Sequence, residues 1–215
     1  MITRYTAQGV EAEFEPGSRG RVLRNLQGIH SIRAIQQAES AALLTATNQM
    51  IDGTTQDHRF TAVEICDMHR QWLDGIYEWA GAYRTVNIVK GEFMFAAAPQ
   101  VSRLMAQFER GPLRKYTPCQ FDSADEQAEA LAIVHAELIL IHPFREGNGR
   151  CARLLATLMG LQAGLPPLDF SGIVGREKRR YIAAIHAALG EDYEPMTEVF
   201  ERVIARTLRA ISGNS

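Results

Sequence analysis

The sequence predicts an all-α fold that carries one β-hairpin, and three observations lead to this prediction. Apolar residues recur at helical spacing through most of the chain. Between residues 84 and 98 the spacing changes to the alternation that is typical of strands. No internal repeat or low-complexity linker interrupts the 215 residues, a length that suits one domain. We therefore predict a single domain over residues 29–211, with residues 1–28 as an arm packed on it.

The predicted helices follow from composition and periodicity. Residues 32–50 are rich in Ala and Gln and favour a helix by propensity, ending near residue 53. Residues 60–79 are amphipathic at the helical period, with Trp72 and Trp79 as core anchors and His69 as a partly buried structural histidine. A turn-forming cluster at residues 111–118 predicts a loop. Further helices are expected over residues 99–108, 126–141, 154–161, 176–189 and 195–211.

The alternating segment predicts a short β-hairpin whose turn lies at Lys90 and Gly91. Its apolar side chains on the two limbs are Val86, Ile88, Phe93 and Phe95. A two-stranded hairpin alone is marginally stable in water, so this one must pack against helices or pair with a bound extended chain. These residues by themselves leave open an ordinary packed surface hairpin.

Composition limits the partners and the compartment. The net charge of −2 provides no overall field for nucleic acid or an anionic membrane. The sequence has no apolar run long enough for a bilayer span and no signal-like start. Its three cysteines lack the paired spacing of a disulfide framework or a zinc site. We therefore expect a cytoplasmic protein with no nucleic-acid or membrane partner.

Residues 142–150 concentrate the chemistry of the chain between two helical segments. Pro143 cannot continue a helix, and the two glycines that follow permit a tight loop into the next helix. The first turn of that helix offers free N–H groups and a positive dipole end, which suit an anion. Arg150 and Arg153, three residues apart, add forked donors for phosphate oxygens on the same face. The segment therefore predicts a phosphate-binding loop.

His142 and Glu146 give this loop a base and a metal ligand. A positioned imidazole can accept the proton of a weakly nucleophilic hydroxyl near neutral pH. A carboxylate is the hard oxygen ligand that Mg²⁺ prefers. A metal pair formed by His142 and Glu146 on one helical face is disfavoured by the intervening proline and glycine. A plain structural turn would not explain why all these groups occur together.

The segment resembles the Fic family signature, His-x-Phe-x-(Asp/Glu)-Gly-Asn-Gly-Arg-x-x-Arg, and matches every fixed position from His142 to Arg153. Residues 79–88 are also similar to the family's sequence before its active-site flap, and the resemblance covers roughly residues 14–204. It implies a Fic-type helical bundle in which the hairpin is a flap that aligns a target protein. It also implies transfer of AMP from ATP to a Ser, Thr or Tyr hydroxyl of that protein.

The resemblance assigns roles to individual positions. His142 is expected to be the catalytic base, and Glu146, where the family commonly has Asp, the Mg²⁺ ligand. Phe144 is assigned to the core beneath the loop. Arg150 is expected on the β-phosphate side and Arg153 at the γ-phosphate. The candidate nucleotide-binding residues are Lys90, Gly91, Arg145, Gly147, Asn148, Gly149, Arg150 and Arg153.

Two alternatives to AMP transfer remain open on the sequence. The chain could transfer a different nucleotide monophosphate, or it could be a catalytically silent module that binds a nucleotide or phosphate. Retention of His142 favours catalysis, because a pure binder needs no base there. The Doc toxins, a branch that acts as protein kinases, depart from the signature at its glycines, whereas this chain keeps both.

The sequence lacks the inhibitory pattern that often restrains Fic proteins in cis, (Ser/Thr)-x-x-x-Glu-(Gly/Asn), whose Glu pairs with the second motif arginine. The single Ser/Thr with Glu four residues later is Thr197 with Glu201, and Arg202 follows it. We therefore predict an ordinary closing helix there. Any restraint would then come from a small antitoxin-like protein in trans, and the chain would be toxin- or effector-like.

Overall fold

The structure, a computed structural model, describes residues 10–91 and 93–212. It is mostly helical and has one two-stranded hairpin within these residues, which confirms the predicted all-α fold. The helices and strands are α1 (Ile32–Gly53), α2 (Ala62–Leu73), β1 (Val89–Lys90), β2 (Phe93–Met94), α3 (Val101–Phe108), α4 (Arg114–Tyr116), α5 (Ala124–Ile141), α6 (Asn148–Gln162), α7 (Gly175–Ala187) and α8 (Glu194–Ser212). Short 3₁₀ helices occur at Val10–Ala12, Ala98–Gln100, Phe170–Gly172 and Ala188–Gly190.

The described residues form two compact units. The first contains residues 10–53, 62–91, 93–106 and 141–151, and the second contains residues 54–61, 107–140 and 152–212. The division into a domain over residues 29–211 and an arm over residues 1–28 stays a prediction.

In the first unit, α1 and α2 pack against each other around Trp72, which is 2% exposed. Helix α2 ends at Leu73, so the prediction of a helix to residue 79 is wrong. The N–H groups of Ile76 and Tyr77 both donate to the Leu73 carbonyl, at 2.9 and 2.8 Å, and turn the chain there. Both side chains remain buried. The apolar spacing therefore continues past residue 73 although the helix does not.

The hairpin is shorter than its apolar pattern. Strands β1 and β2 pair Val89 with Met94 and Lys90 with Phe93. Gly91 lies in the turn at φ +66°. Beyond the strands, the N–H of Phe95 donates to the Ile88 carbonyl at 3.2 Å. Val86, Ile88 and Phe95 form a buried cluster against which Phe93 packs, so the hairpin has its own small core.

In the second unit, a reciprocal cap begins α5: the Ser123 hydroxyl accepts from the Glu126 N–H, and the Glu126 carboxylate accepts from Ser123.

The prediction of a loop over residues 111–118 is wrong for residues 111–116, which are helical. A π-helical segment, Glu109–Leu113, carries the chain from α3 into α4. Its wider turn accommodates Pro112, which has no N–H to donate. The helices α7 and α8 pack together at the end of the chain.

Within residues 10–91 and 93–212, no helix combines the length and the apolar character needed to cross a bilayer.

Candidate functional site

The predicted base, His142, occupies a sharp turn directly after α5. Its backbone is in the left-handed region at φ +52°, and Pro143 follows. The half-buried imidazole stacks on the Phe95 ring of the hairpin, with centroids 3.6 Å apart and planes inclined by 20°. The left-handed turn thus places the His142 ring against the hairpin.

Phe144 anchors the loop beneath His142, as the sequence predicted. Its side chain is fully buried and stacks on the His69 ring at 3.9 Å between centroids. The Asn148 carboxamide makes two hydrogen bonds with the backbone of Phe144. Its oxygen accepts the Phe144 N–H at 2.8 Å, and its nitrogen donates to the Phe144 carbonyl at 2.7 Å. The Asn148 side chain therefore fixes the shape of the loop, and its predicted contact with nucleotide stays a prediction.

Gly147 is the point where the loop enters α6. Its carbonyl accepts the N–H groups of Arg150 and Cys151 at 3.0 and 2.9 Å, which starts the helix. Its φ is +84°, and a Cβ added here would lie 2.7 Å from the Trp72 ring. Glycine is therefore required both by the backbone conformation and by the close approach of Trp72. Gly149, in the first turn of α6, has open space around it.

His69 supports the loop from α2, and it is fully buried instead of partly buried as predicted. Its Nδ1 accepts the Gly81 N–H at 2.9 Å, so the proton lies on Nε2, which donates to the Glu146 carbonyl at 3.1 Å. Burial lowers the pKa of His69 to about 4. His69 is therefore a neutral structural residue that holds the backbone of Glu146, the candidate metal ligand.

Arg150 is held by a glutamate that the sequence did not single out. Its Nη1 lies 2.8 Å from Glu39 Oε2, and its guanidinium carbon lies 4.5 Å from the Trp72 ring centroid. Glu39 is 5% exposed, and its other carboxylate oxygen accepts the Tyr77 hydroxyl at 2.6 Å. Burial raises the pKa of Tyr77, so this hydroxyl stays a donor. Glu39 thus anchors one edge of the guanidinium while Arg150 remains 30% exposed.

The Glu146 side chain is accessible enough to bind a cation together with substrate phosphates. Its side chain is 47% exposed, Oε1 accepts the N–H of Gly147 at 3.0 Å, and Arg150 Nη2 lies 3.7 Å away. No cluster of three or more His, Cys, Asp or Glu occurs among the described residues. Mg²⁺ at phosphate-transfer sites is commonly bound by one or two carboxylates together with substrate phosphates and water. A single half-exposed carboxylate beside a phosphate loop fits that kind of site.

Five of the predicted site residues line one cavity of about 290 Å³ in the first unit. Arg145, one of them, is 2% exposed, and its Nε donates to the Glu11 carbonyl at 2.6 Å. The Glu11 carboxylate in turn accepts the Thr85 N–H at 2.7 Å, so an N-terminal segment supports the cavity wall. Gly91 lies exposed in the hairpin turn. The full lining is Ile88, Lys90, Phe95, His142, Arg145, Glu146 and Asn148.

Arg153 is carried by α6 and belongs to the second unit. Its guanidinium carbon lies 5.8 Å from the Phe170 ring centroid. Its Nε is buried and makes no hydrogen bond to the described part of the chain. The role expected of Arg153 at the γ-phosphate stays a prediction.

Comparison with known proteins identifies the family. The model of the Fic/DOC family matches residues 59–159. Protein adenylyltransferase fic-1 of Caenorhabditis briggsae is 32% identical over 153 residues, which are 70% of this chain and 28% of that protein. Protein adenylyltransferase VbhT of Bartonella schoenbuchensis is 28% identical over 193 residues, 90% of this chain and 38% of that protein. This chain thus spans about a third of the length of these two curated relatives.

A solved structure shares the fold. The crystal structure of the Bartonella tribocorum effector BepC with bound AMPPNP has a TM-score of 0.71 and 25% identity, covering 91% of this chain and 98% of that one. The fold, the complete signature between His142 and Arg153 and the matched family model agree. The chain belongs to the Fic/DOC family.

Proposed function

We propose that the chain is a protein adenylyltransferase, which transfers AMP from ATP to a Ser, Thr or Tyr hydroxyl of a target protein. One observation carries this proposal: a single cavity is lined by the candidate base His142, the candidate metal ligand Glu146 and the start of α6. The names of the relatives and the AMPPNP bound to BepC support the same activity and substrate.

His142 would act on the acceptor hydroxyl. Its imidazole takes the hydroxyl proton as the oxygen attacks the α-phosphorus of ATP. A new phosphorus–oxygen bond forms, the bond between the α-phosphorus and the bridging oxygen breaks, and pyrophosphate leaves. The protonated imidazole then returns its proton to solvent or to pyrophosphate. Stacking on Phe95 limits the imidazole to one ring plane, which favours a fixed approach of the hydroxyl.

The start of α6 would hold the phosphates. The first N–H groups of a helix have no acceptor within it and attract anions. Arg150 adds a guanidinium whose one edge is fixed by Glu39 and whose remaining donors can bind the β-phosphate. We assign Gly147, Gly149 and Arg145 to the nucleotide side of the cavity as the signature implies, and Arg153 to the γ-phosphate.

Glu146 would hold Mg²⁺. When bound, the cation offsets the negative charge on the α- and β-phosphates and on the leaving pyrophosphate. The 47% exposure of the Glu146 side chain leaves its carboxylate accessible to such a cation.

The hairpin would align the target protein. In the described sheet β2 has β1 as its neighbour on one side, and an extended target segment would add along its other side. Lys90 lines the cavity beside the same hairpin, and Gly91 forms its turn. A small antitoxin-like protein in trans remains our hypothesis for restraint, since the Glu201 segment lies within the regular helix α8.

Transfer is tested by supplying ATP labelled with ³²P at either the α- or the γ-phosphate, with Mg²⁺ and a bacterial lysate as the source of target. AMP transfer labels protein from α-³²P-ATP alone, whereas a kinase labels it from γ-³²P-ATP. His142→Ala should lower labelling by about 10²–10⁴-fold and leave ATP binding nearly unchanged, because the imidazole acts on the hydroxyl. His186→Ala, an exposed histidine on α7, serves as the matched control.

Three results would contradict the proposal. Label from the γ-phosphate alone would indicate phosphoryl transfer. ATP binding without labelled protein from either isotope would favour the silent binding module. Stronger labelling from another α-³²P-labelled nucleotide would favour transfer of a different nucleotide monophosphate.

A further inference from the structure

Arg84 lies outside the family signature, yet its side chain joins the hairpin to the signature loop. The residue is 2% exposed and donates to four backbone carbonyls. On one side, Nε donates to the His142 carbonyl at 2.6 Å and Nη2 to the Ile141 carbonyl at 3.3 Å. On the other side, Nη1 donates to the Val86 carbonyl at 2.6 Å and Nη2 to the Ala96 carbonyl.

These four acceptors mark two separate structural features. Val86 and Ala96 stand at the base of the hairpin, one on each limb. Ile141 is the last residue of α5, and His142 is the turn that follows it, where the helix leaves carbonyls without an intrahelical donor. The Arg84 N–H also donates to the Pro143 carbonyl at 2.8 Å. One residue therefore ties both limbs of the hairpin to the backbone of the candidate base.

Only arginine suits this position. A guanidinium presents five N–H donors in a rigid planar fork, so it can reach acceptors on opposite sides at once. A lysine ammonium places three donors on one point at the end of a flexible chain. Burial lowers the pKa of Arg84 to about 10, which leaves it charged at neutral pH. A buried cation has a high desolvation cost, and here the dipoles of four carbonyls offset it.

The ring contact between Phe95 and His142 joins the same two features, the hairpin and the turn after α5. Phe95 is the residue next to Ala96, and its ring stacks on the His142 imidazole at 3.6 Å. If the base of the hairpin moved relative to residues 141 and 142, the position of this ring and of the hairpin edge would change with respect to the imidazole. A misplacement of about 1 Å in a catalytic arrangement can cost about 10²-fold in rate.

We propose that Arg84 is a positioning residue for transfer: it sets the distance between the target segment on the hairpin and the His142 base, without contacting the nucleotide. The inference rests on the proposed function, because it presumes that a target segment binds along the hairpin edge.

Arg84→Lys tests the inference because it keeps the charge and loses the planar fork. We expect kcat for labelling of the protein target to fall by about 10²-fold while the Kd for ATP changes by less than about twofold. Hydrogen exchange of the Phe95 N–H, which donates to Ile88, should accelerate relative to amides of α8. Arg103→Lys, an exposed arginine on α3, is the matched control and should leave all three measurements unchanged.

Two results would overturn the proposal: labelling by Arg84→Lys at the parent rate, or an ATP Kd that rises as much as kcat falls. If the variant does not fold, native-state hydrogen exchange of the parent along a denaturant series replaces it. The amides of Arg84 and Phe95 should then open with the same free energy, since one side chain joins their surroundings. Opening of Phe95 at a clearly lower free energy than Arg84 would refute the coupling.

Failure of the proposed function gives a different pattern. If the parent itself transfers no AMP, the labelling comparison has no baseline and that proposal fails. The exchange measurements on the parent still decide whether Arg84 couples the hairpin to the loop.

Discussion

Gly147→Ala should damage both the stability and the activity of the protein, and the structure shows why. The substitution adds a methyl group at the entrance to α6, where φ is +84° and the new Cβ would lie 2.7 and 2.9 Å from two Trp72 ring carbons. Trp72 cannot easily withdraw, because it is 2% exposed and its Nε1 donates to the Glu39 carbonyl at 2.8 Å. Either the loop or the tryptophan has to shift.

The magnitude follows from three contributions. A non-glycine residue in the left-handed region costs about 1–2 kcal/mol. Overpacking a filled site costs about 1–3 kcal/mol. The reduced freedom of the unfolded chain returns about 0.4–1 kcal/mol. We therefore expect the free energy of unfolding to fall by about 1–5 kcal/mol. A shift of Gly147 would also move Arg150, whose N–H donates to its carbonyl at 3.0 Å, so phosphate binding should weaken too.

Urea unfolding followed by circular dichroism measures the first effect, and ATP binding measures the second. Gly149→Ala is the stability control two residues later, because nothing lies within 4 Å of its added Cβ. That change should stabilise α6 by up to about 1 kcal/mol, since alanine has the higher helix propensity. Equal stabilities of Gly147→Ala and the parent, or equal losses in both variants, would refute the steric argument.

The remaining predictions concern the contact between Glu39 and Arg150, the helix α8 and the pH dependence of stability. Glu39→Gln should raise the ATP concentration for half-maximal labelling about tenfold. The neutral amide oxygen still accepts from Arg150, but it gives a hydrogen bond of about 0.5–1.5 kcal/mol in place of a charged one of about 1.5–3 kcal/mol, a loss of about 1.4 kcal/mol. Glu201→Gly should destabilise α8 by about 1 kcal/mol in urea unfolding and leave labelling nearly unchanged. Stability should fall as the pH drops from about 6.5 to about 4, because burial lowers the pKa of His69 and of His135 to about 4. In that range the histidines of the unfolded chain bind protons, whereas those of the folded chain do not. The free energy of unfolding should therefore fall by about 3 kcal/mol for each histidine.

Each of these expectations has a contradicting outcome. If Glu39→Gln reached half-maximal labelling at the same ATP concentration as the parent, Arg150 would need no fixed partner. If the variant labelled more strongly than the parent, Glu39 would compete with the phosphates of ATP for Arg150. A large rise in self-labelling by Glu201→Gly would reveal a brake in cis. A urea midpoint that stays constant between pH 6.5 and 5, above the ordinary titration range of carboxylates, would exclude the two histidines as the cause.

The sequence by itself determined the features that depend on neighbouring residues. The loop from His142 to Arg150 could be predicted because Pro143 and the glycines shape it locally and its functional groups are adjacent in the chain. Amphipathic periodicity likewise predicted most helices, and strand alternation predicted the hairpin. These signals work because helix and strand geometry repeat over a few residues.

Only the tertiary structure decided which distant polar groups support the loop. Arg84 lies 58 residues from His142, and His69 lies 77 residues from Glu146, yet each holds the backbone there. Glu39 stands in a polar helical segment with no local mark of its contact with Arg150. Such partners are selected when folding removes water from particular carbonyls and charges, which must then be paired. Periodicity records which face of an element is buried, whereas the identity of its polar partner depends on which elements meet.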